Sequence, residues 1–252
     1  MSKYSHTVLA LFALVATFAF GQEKEPTTPE ATEFYEPVPP RVIPGNDNTA
    51  PSDAIVLFDG KDFNQWVSSV DSTEVKWHLN ADASMSVKDK TGNIQTKMNF
   101  GSMQLHIEWK SPAEVQREGQ NRANSGVFIQ QRYEIQVLDN NDNPTYTNGQ
   151  VGSVYKQSVP LAMASVPTGE WNTYDIVFHA PEFSRGGNIV KPATVTLLHN
   201  GVLVQDHFVI EGTIKYIGWP KYEAHGKAPI MLQDHGDNSR VSFRNIWVRE
   251  LD

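Results

Sequence analysis

Met103-Gln104-Leu105-His106-Ile107-Glu108-Trp109-Lys110 is the stretch that decides the fold. Apolar and polar side chains alternate through it without a break. That is the period of a β-strand, in which successive side chains point to opposite faces. Met103, Leu105, Ile107 and Trp109 are expected to face a core, and Gln104, His106, Glu108 and Lys110 to face away. Tyr133–Leu138 repeats the pattern, with Tyr133, Ile135 and Val137 on one face and Glu134 and Gln136 on the other.

Outward from these two stretches, short apolar or alternating runs are separated by Gly, Asn, Asp and Pro. They are Ile55–Phe58, Val75–Leu79, Ser84–Val87, Gly126–Gln130, Tyr174–His179, Ala193–His199, Val202–Asp206, Ile230–Gln233 and Val241–Arg249. All have strand length, and most are rich in β-branched or aromatic residues. Asn200-Gly201 between two of them is a strong hairpin signal. In the last run Phe243, Ile246 and Trp247 break strict alternation, which predicts a bulge or bend near Arg244-Asn245. No helix longer than two turns and no internal repeat is expected. Many short strands with turn signals predict an all-β sandwich or barrel.

The chain start reads as an export signal. Lys3 supplies a positive charge, Thr7 to Phe20 is an uncharged, mostly apolar run of 14 residues, and Ala19-Phe20-Gly21 allows cleavage before Gln22. The run is shorter than the roughly 20 apolar residues a membrane-spanning helix needs. Residues 1–21 are therefore expected to be a signal peptide, and the protein to be periplasmic or secreted, with no membrane insertion once the signal is cleaved. Residues 22–51 hold seven of the fifteen prolines among Thr and acidic residues, which predicts an extended tether. Residues 52–252 form the expected folded domain. Phe34-Tyr35 and Val42-Ile43 could pack along its edge.

The chain has no cysteine, which removes thiolate chemistry, iron–sulfur clusters and cysteine zinc sites. A net charge of −8, one unit more negative once Lys3 is cleaved off, argues against nucleic acid as a partner. There is no G-x-S-x-G, no H-E-x-x-H, no phosphate-binding loop and no dinucleotide fingerprint. No cofactor is expected. A divalent metal would require the fold to bring His106, His225 and His235 together.

Four clusters carry polar chemistry. Arg122–Gln130 leads into Tyr133–Asp139, so two adjacent strands would present Phe128, Gln130, Glu134 and Gln136. An aromatic ring beside amides and a carboxylate suits a sugar, with its C–H face on the ring and its hydroxyls on the polar groups; a solvated sheet face gives the same alternation. Gly152–Gln157 places Lys156 close in sequence to those strands. Leu232-Gln233-Asp234-His235-Gly236 puts His and Asp at a strand end, a common position for site residues. Asp139–Asn143 has the alternating oxygens of a calcium loop but lacks its glycine and distal Glu, and reads as a turn.

With these residues in view, the sequence resembles the 3-keto-disaccharide hydrolase domain family. The resemblance rests on Val56–Trp66, Asn124–Phe128, Tyr133–Asp139, Gly169–Tyr174, Leu232–Gly236 and Val241–Ile246, in that order, and runs from about Ile55 to the end. It implies a concanavalin A-like jelly roll: two antiparallel sheets, one concave and ligand-facing. It also implies an oligosaccharide or glycoside substrate whose C3 hydroxyl has been oxidised to a ketone by a separate sugar 3-dehydrogenase. Such a ketone acidifies the C2 hydrogen. A base, an oxyanion stabiliser and an acid then suffice to expel the C1 substituent, with or without addition of water.

For the site, this reading assigns Glu134, His235 and Lys156 as catalytic. Glu134 or His235 would be the base, and Lys156 or Arg122 would polarise the ketone. Arg122, Asn124, Phe128, Gln130, Gln136, Asp139 and Gln233 are expected to bind substrate. Some glycosidases of the same fold carry E-x-D-x-x-E; here the matching positions are Glu134, Gln136 and Asp139, which leaves the set of a two-carboxylate mechanism incomplete. The competing readings are a noncatalytic carbohydrate-binding module, an ordinary glycosidase and a structural envelope protein. A buried Glu or His inside a pocket would distinguish an enzyme from a binding module.

Overall fold

The computed structural model describes residues 25–46 and 49–251. The segment read as a signal peptide, and the first residues of the tether, lie outside the described part. The chain divides into two units, residues 1–41 and 42–252. The described part of the first holds a 3-10 turn at Pro29–Thr32, where proline sets the first helical φ. The second unit begins within the expected tether. Ser52 donates its backbone N–H to the Ile43 carbonyl and accepts the Ile43 N–H on its hydroxyl, each at 3.0 Å.

The second unit is built from strands β1 (Ile55–Phe58), β2 (Trp66–Ser68), β3 (His78–Leu79), β4 (Met85–Ser86), β5 (Ile94–Thr96), β6 (Met103–Lys110), β7 (Ser125–Ile129), β8 (Tyr133–Val137), β9 (Asn172–His179), β10 (Glu182–Phe183), β11 (Ile189–Lys191), β12 (Thr194–His199), β13 (Val202–Val209), β14 (Met231–Leu232) and β15 (Ser242–Glu250). Its helical structure among the described residues is two more 3-10 turns, Gly119–Asn121 and Thr147–Gly149. One antiparallel sheet runs β13-β12-β9-β6-β15-β4-β3, with β1 also paired to β15; a second runs β2-β5-β14-β7-β8. This is the all-β, concanavalin A-like jelly-roll sandwich that the sequence predicts.

The alternation of β6 holds. Met103, Leu105, Ile107 and Trp109 are buried, and they pack with Tyr174, Ile176 and Phe178 of β9 against the inner face of the second sheet, Val127, Ile129, Tyr133, Ile135 and Val137. Each such side chain contributes on the order of 1.5–3 kcal/mol of burial. Tyr133 and Phe178 meet across the interface with ring centroids 5.7 Å apart. The Tyr174 hydroxyl spans the same gap and donates to the Gln136 backbone carbonyl at 2.8 Å. That bond ties the core to the strand that carries the site.

The bulge expected in β15 is present. Its register against β6 shifts between Arg244 and Trp247, and Asn245 takes a φ of +46°. The extra residue lets Phe243 and Ile246 both point inward, and it turns Arg244 and Asn245 onto Glu108 of β6. Glu108 faces away from the core, as expected, yet these partners cover it. Strands β2, β5, β10 and β11 had no counterpart in the sequence reading; at two or three residues they are too short to show a period.

Candidate active site

Strand β8 carries the site because of its alternation. While Tyr133, Ile135 and Val137 enter the core, Glu134 and Gln136 rise from the outer face of the second sheet. Across β7, Phe128 stands opposite Glu134 and Gly126 opposite Gln136. The glycine makes room: a Cβ at Gly126 would stand 2.5 Å from Glu134 Oε1 and 2.8 Å from a Phe128 ring carbon. The residue is bare because the carboxylate lies over it, not because its backbone demands glycine.

The polar face of β8 is nonetheless buried, because a loop roofs it. Beyond β8 the segment 152–155 pairs with the strand edge. Gly152 donates to the Gln136 carbonyl at 2.9 Å, Gln136 to Ser153 at 3.0 Å, and Tyr155 to Glu134 at 3.1 Å. These backbone bonds set Tyr155 beside Glu134. Lys156 follows in the left-handed region at φ +59°, a conformation that costs a non-glycine residue energy and concentrates at functional sites.

The result is a cavity of about 690 Å³, floored by Phe128, Glu134 and Gln136 and walled by Gln120, Asn121, Asn124, Tyr146, Tyr155, Lys156, Ile214, Tyr216, Gln233 and His235. The volume is that of a small-molecule site. Glu134 is 4% exposed. Burial, with no opposing charge or hydrogen bond, pushes its carboxyl up to about 8. Gln136 donates its amide to Gln120 Oε1 at 3.2 Å and Asn124 Oδ1 at 3.4 Å. The amide oxygens of Gln136 and Gln233 are buried without a partner. Such orphaned acceptors are costly unless a ligand donates to them.

One wall is aromatic and cationic. The Tyr146 and Tyr155 hydroxyls meet at 2.7 Å; Gly149 allows this, since a Cβ there would stand 2.0 Å from the Tyr146 ring. Burial raises both phenols above their ordinary value, so they keep their protons. The Lys156 ammonium donates to the Tyr216 carbonyl at 2.7 Å and lies 4.4 Å from that ring and 5.7 Å from the rings of Tyr146 and Tyr155. Each face gives it a cation–π contact. Elsewhere on the rim, His235 Nδ1 is 2.9 Å from Asp237 Oδ2. That carboxylate holds the ring and leaves Nε2 as the nitrogen for chemistry.

A model of the 3-keto-alpha-glucoside-1,2-lyase-like domain matches residues 53–249. A crystal structure of a provisionally assigned glycosyl hydrolase from Parabacteroides distasonis ATCC 8503 is 53% identical, with TM-score 0.85, over 89% of this chain and 97% of that one. The chain belongs to the 3-keto-alpha-glucoside-1,2-lyase-like family. Membership makes it a carbohydrate-active protein, in agreement with the resemblance read from its motifs. Two further structures of provisionally assigned glycosyl hydrolases from that organism share the fold, at 23% identity and TM-score 0.59 over 79% of this chain and 94% of the other, and at 21% and 0.54 over 79% and 99%. No curated protein matches the sequence.

In this lyase-like domain the structure gathers Glu134, His235, Lys156, Asn124, Phe128, Gln136 and Gln233 around one cavity. It does not bring Arg122, Asp139 or Gln130 there. Arg122 Nε donates to Asp139 Oδ2 at 2.9 Å, and the Thr168 hydroxyl donates to the same carboxylate. A carboxylate as buried as Asp139, at 3% exposed, requires such partners, and the pair is spent on the turn at Asp139–Asn143. Gln130 follows β7 in the left-handed region at φ +53°, which swings it off the strand's alternation; its amide holds the Phe100 carbonyl at 2.9 Å.

The sequence reading missed Gln120, Tyr146, Tyr155 and Tyr216. The glycines at 149 and 152, close together between Tyr146 and Tyr155, were the available signal. Asp234, next to His235, is structural, taking the backbone N–H groups of Thr91, Gly92 and Gly236. The three histidines considered for a metal stand apart: His106 bonds Asp175, His225 bonds the Tyr133 hydroxyl, and His235 bonds Asp237. Among the described residues no group of three or more His, Asp and Glu is placed to hold an ion.

Proposed function

We propose that this protein cleaves the glycosidic bond of 3-keto-glycosides by removing the C2 proton and eliminating the C1 substituent. The observation that carries this reading is Glu134: a buried carboxyl without a protein partner, set by Gly126 into a sugar-sized cavity. It is also the one carboxylate among the described residues lining that cavity. A conventional glycosidase needs two, whereas enolate chemistry needs one base. A buried group of shifted acidity inside a pocket also favours an enzyme over a binding module.

In this mechanism Glu134, in its ionised form, takes the C2 hydrogen, and the electron pair moves onto the C3 oxygen. His235, held by Asp237, donates from Nε2 to that oxygen. The C1–O bond then breaks as the enolate collapses to an enone, and the departing oxygen takes a proton from the Tyr155–Tyr146 pair beside Lys156. The products are an unsaturated 3-keto sugar and a free alcohol. Water adding across the new double bond, with Glu134 returning its proton to C2, gives net hydrolysis. The orphaned oxygens of Gln136 and Gln233 accept from sugar hydroxyls, and Phe128 packs on the ring face.

The proposal places the protein in the periplasm or outside the cell, downstream of a sugar 3-dehydrogenase. The experiment incubates the mature domain with a 3-keto glycoside and with its unoxidised parent, each bearing a chromogenic leaving group. Release only from the keto form, lost in Glu134→Gln, is expected. Full turnover by Glu134→Gln removes Glu134 as the base. Glycan binding with no release from either substrate means a binding module.

A further inference from the structure

The loop between β13 and β14 carries a feature the proposed chemistry does not use. Gly212 lies against the Lys221 backbone, where a Cβ would stand 2.3 Å from the Lys221 carbonyl carbon, and Thr213 donates to Lys221 at 3.0 Å. This pinch closes the loop 213–221. Ile214 and Tyr216, on its first arm, line the cavity. At its tip Ile217 and Trp219 are 84% and 85% exposed. Of the six tryptophans, Trp66, Trp77, Trp109 and Trp247 are buried and Trp171 is half-buried, so Trp219 alone stands out in solvent.

The loop is anchored below its tip, and a proline restricts the backbone at the tip. Gly218 takes a left-handed φ of +100° that suits glycine, and Pro220 confines Trp219 to extended backbone. Lys156 fastens the loop to the cavity wall through the Tyr216 carbonyl and ring. Three peptide units separate Tyr216 from Trp219, so their Cα atoms are at most about 11 Å apart. That is the reach of one further sugar ring beyond a ring bound in the cavity.

We propose that Ile217 and Trp219 form the subsite for the leaving group, a second pyranose ring stacked on the indole. The proposal rests on the elimination reading for its direction. The departing oxygen must face the proton donors Tyr155, Tyr146 and Lys156, and this loop is latched to that same wall, so the leaving ring continues onto its tip. An exposed, preorganised tryptophan beside a polar cavity presents the flat apolar surface that a sugar's C–H face takes.

Two measurements test this. Trp219→Ala is expected to lower kcat/KM about tenfold for a 3-keto disaccharide and to leave that for the 3-keto methyl glycoside within about twofold, because only the first substrate reaches the loop. In parallel, acrylamide quenching of tryptophan fluorescence reports Trp219 directly. The unoxidised disaccharide, which is not turned over, is expected to shield it in wild type, and the shielding is expected to vanish in Trp219→Ala. Equal losses on both substrates, or no shielding, overturn the subsite. Burial of Trp219 in a dimer, seen as concentration-dependent shielding without sugar and a doubled mass by sedimentation, also overturns it. If no keto substrate is cleaved, the elimination reading fails while the shielding arm still decides the subsite.

Discussion

Gly126→Ala adds one methyl group to the floor of the cavity and moves the proposed base. The new Cβ would stand 2.5 Å from Glu134 Oε1, 2.8 Å from a Phe128 ring carbon and 3.0 Å from Glu134 Cγ. Restoring an ordinary contact of about 3.4 Å displaces the carboxylate oxygen by about 0.9 Å. A misplacement of about 1 Å costs a positioned catalytic group on the order of 10²-fold, or about 2.7 kcal/mol of barrier. The fold should lose far less. The atoms that give way are the far end of a flexible side chain and a ring edge beside a cavity, and alanine also removes unfolded-chain entropy worth about 0.4–1 kcal/mol. The expected outcome is a roughly hundredfold fall in kcat/KM on a 3-keto glycoside, with a Tm within about 4 °C of wild type. Gly186→Ala serves as control, since a Cβ there meets nothing nearer than 3.8 Å. Turnover within threefold of wild type in Gly126→Ala, with Glu134→Gln inactive, would refute the placement argued for the carboxylate.

Two further outcomes concern pH. Burial raises the folded-state pKa of Glu134 from 4.5 to about 8, so the proton that folding retains is a source of stability at low pH, lost as pH climbs from 4.5 through 8. Thermal melts should therefore find Glu134→Gln equal to wild type near pH 4 and more stable at pH 9; equal melts at pH 9 would mean the carboxyl is solvated. The acid limb of the activity profile should follow ionisation of Glu134, rising with pH toward about 8. On the other sheet, burial alone would lower His106, but Asp175 at 2.7 Å and Glu108 hold it up at about 9. Its contribution is present below 6.5 and lost as pH rises through 9, so the Tm deficit of His106→Gln should be largest at pH 6 and close by pH 10. A deficit that does not change with pH would assign His106 to packing on Trp247, whose ring centre is 5.0 Å away, instead of to charge.

How far the sequence could be read depended on whether a feature was local. The period of β6 and of β8 is written in consecutive residues, so the core face and the Glu134–Gln136 face were legible together. The bulge at Asn245 was legible as a break in that period. Arg122 and Asp139 were misread because a charge near a motif says nothing of its partner; only the fold shows that each neutralises the other. Gln130 was misread because alternation was carried one residue past the strand end, where the backbone turns left-handed. Tyr146, Tyr155 and Tyr216 reach the cavity through bonds between segments distant in sequence, such as Lys156 to Tyr216. No periodicity records those. Gly126 opens an expected strand, and the reason for a glycine there is the carboxylate of another strand.

The pairing of residues 152–155 with β8 has a consequence for solubility. β8 is the last strand in the order of its sheet, and an uncovered last strand offers a ladder of free backbone groups to any other chain. Tyr133–Val137 is a five-residue run with aromatic and β-branched side chains and no proline, the composition that joins strands between molecules. The segment that supplies Tyr155 and Lys156 covers that ladder. Deleting or loosening it would remove the proton-donating wall and expose a sticky edge in one step, so loop variants of this protein should be screened for self-association before their loss of turnover is read as chemistry.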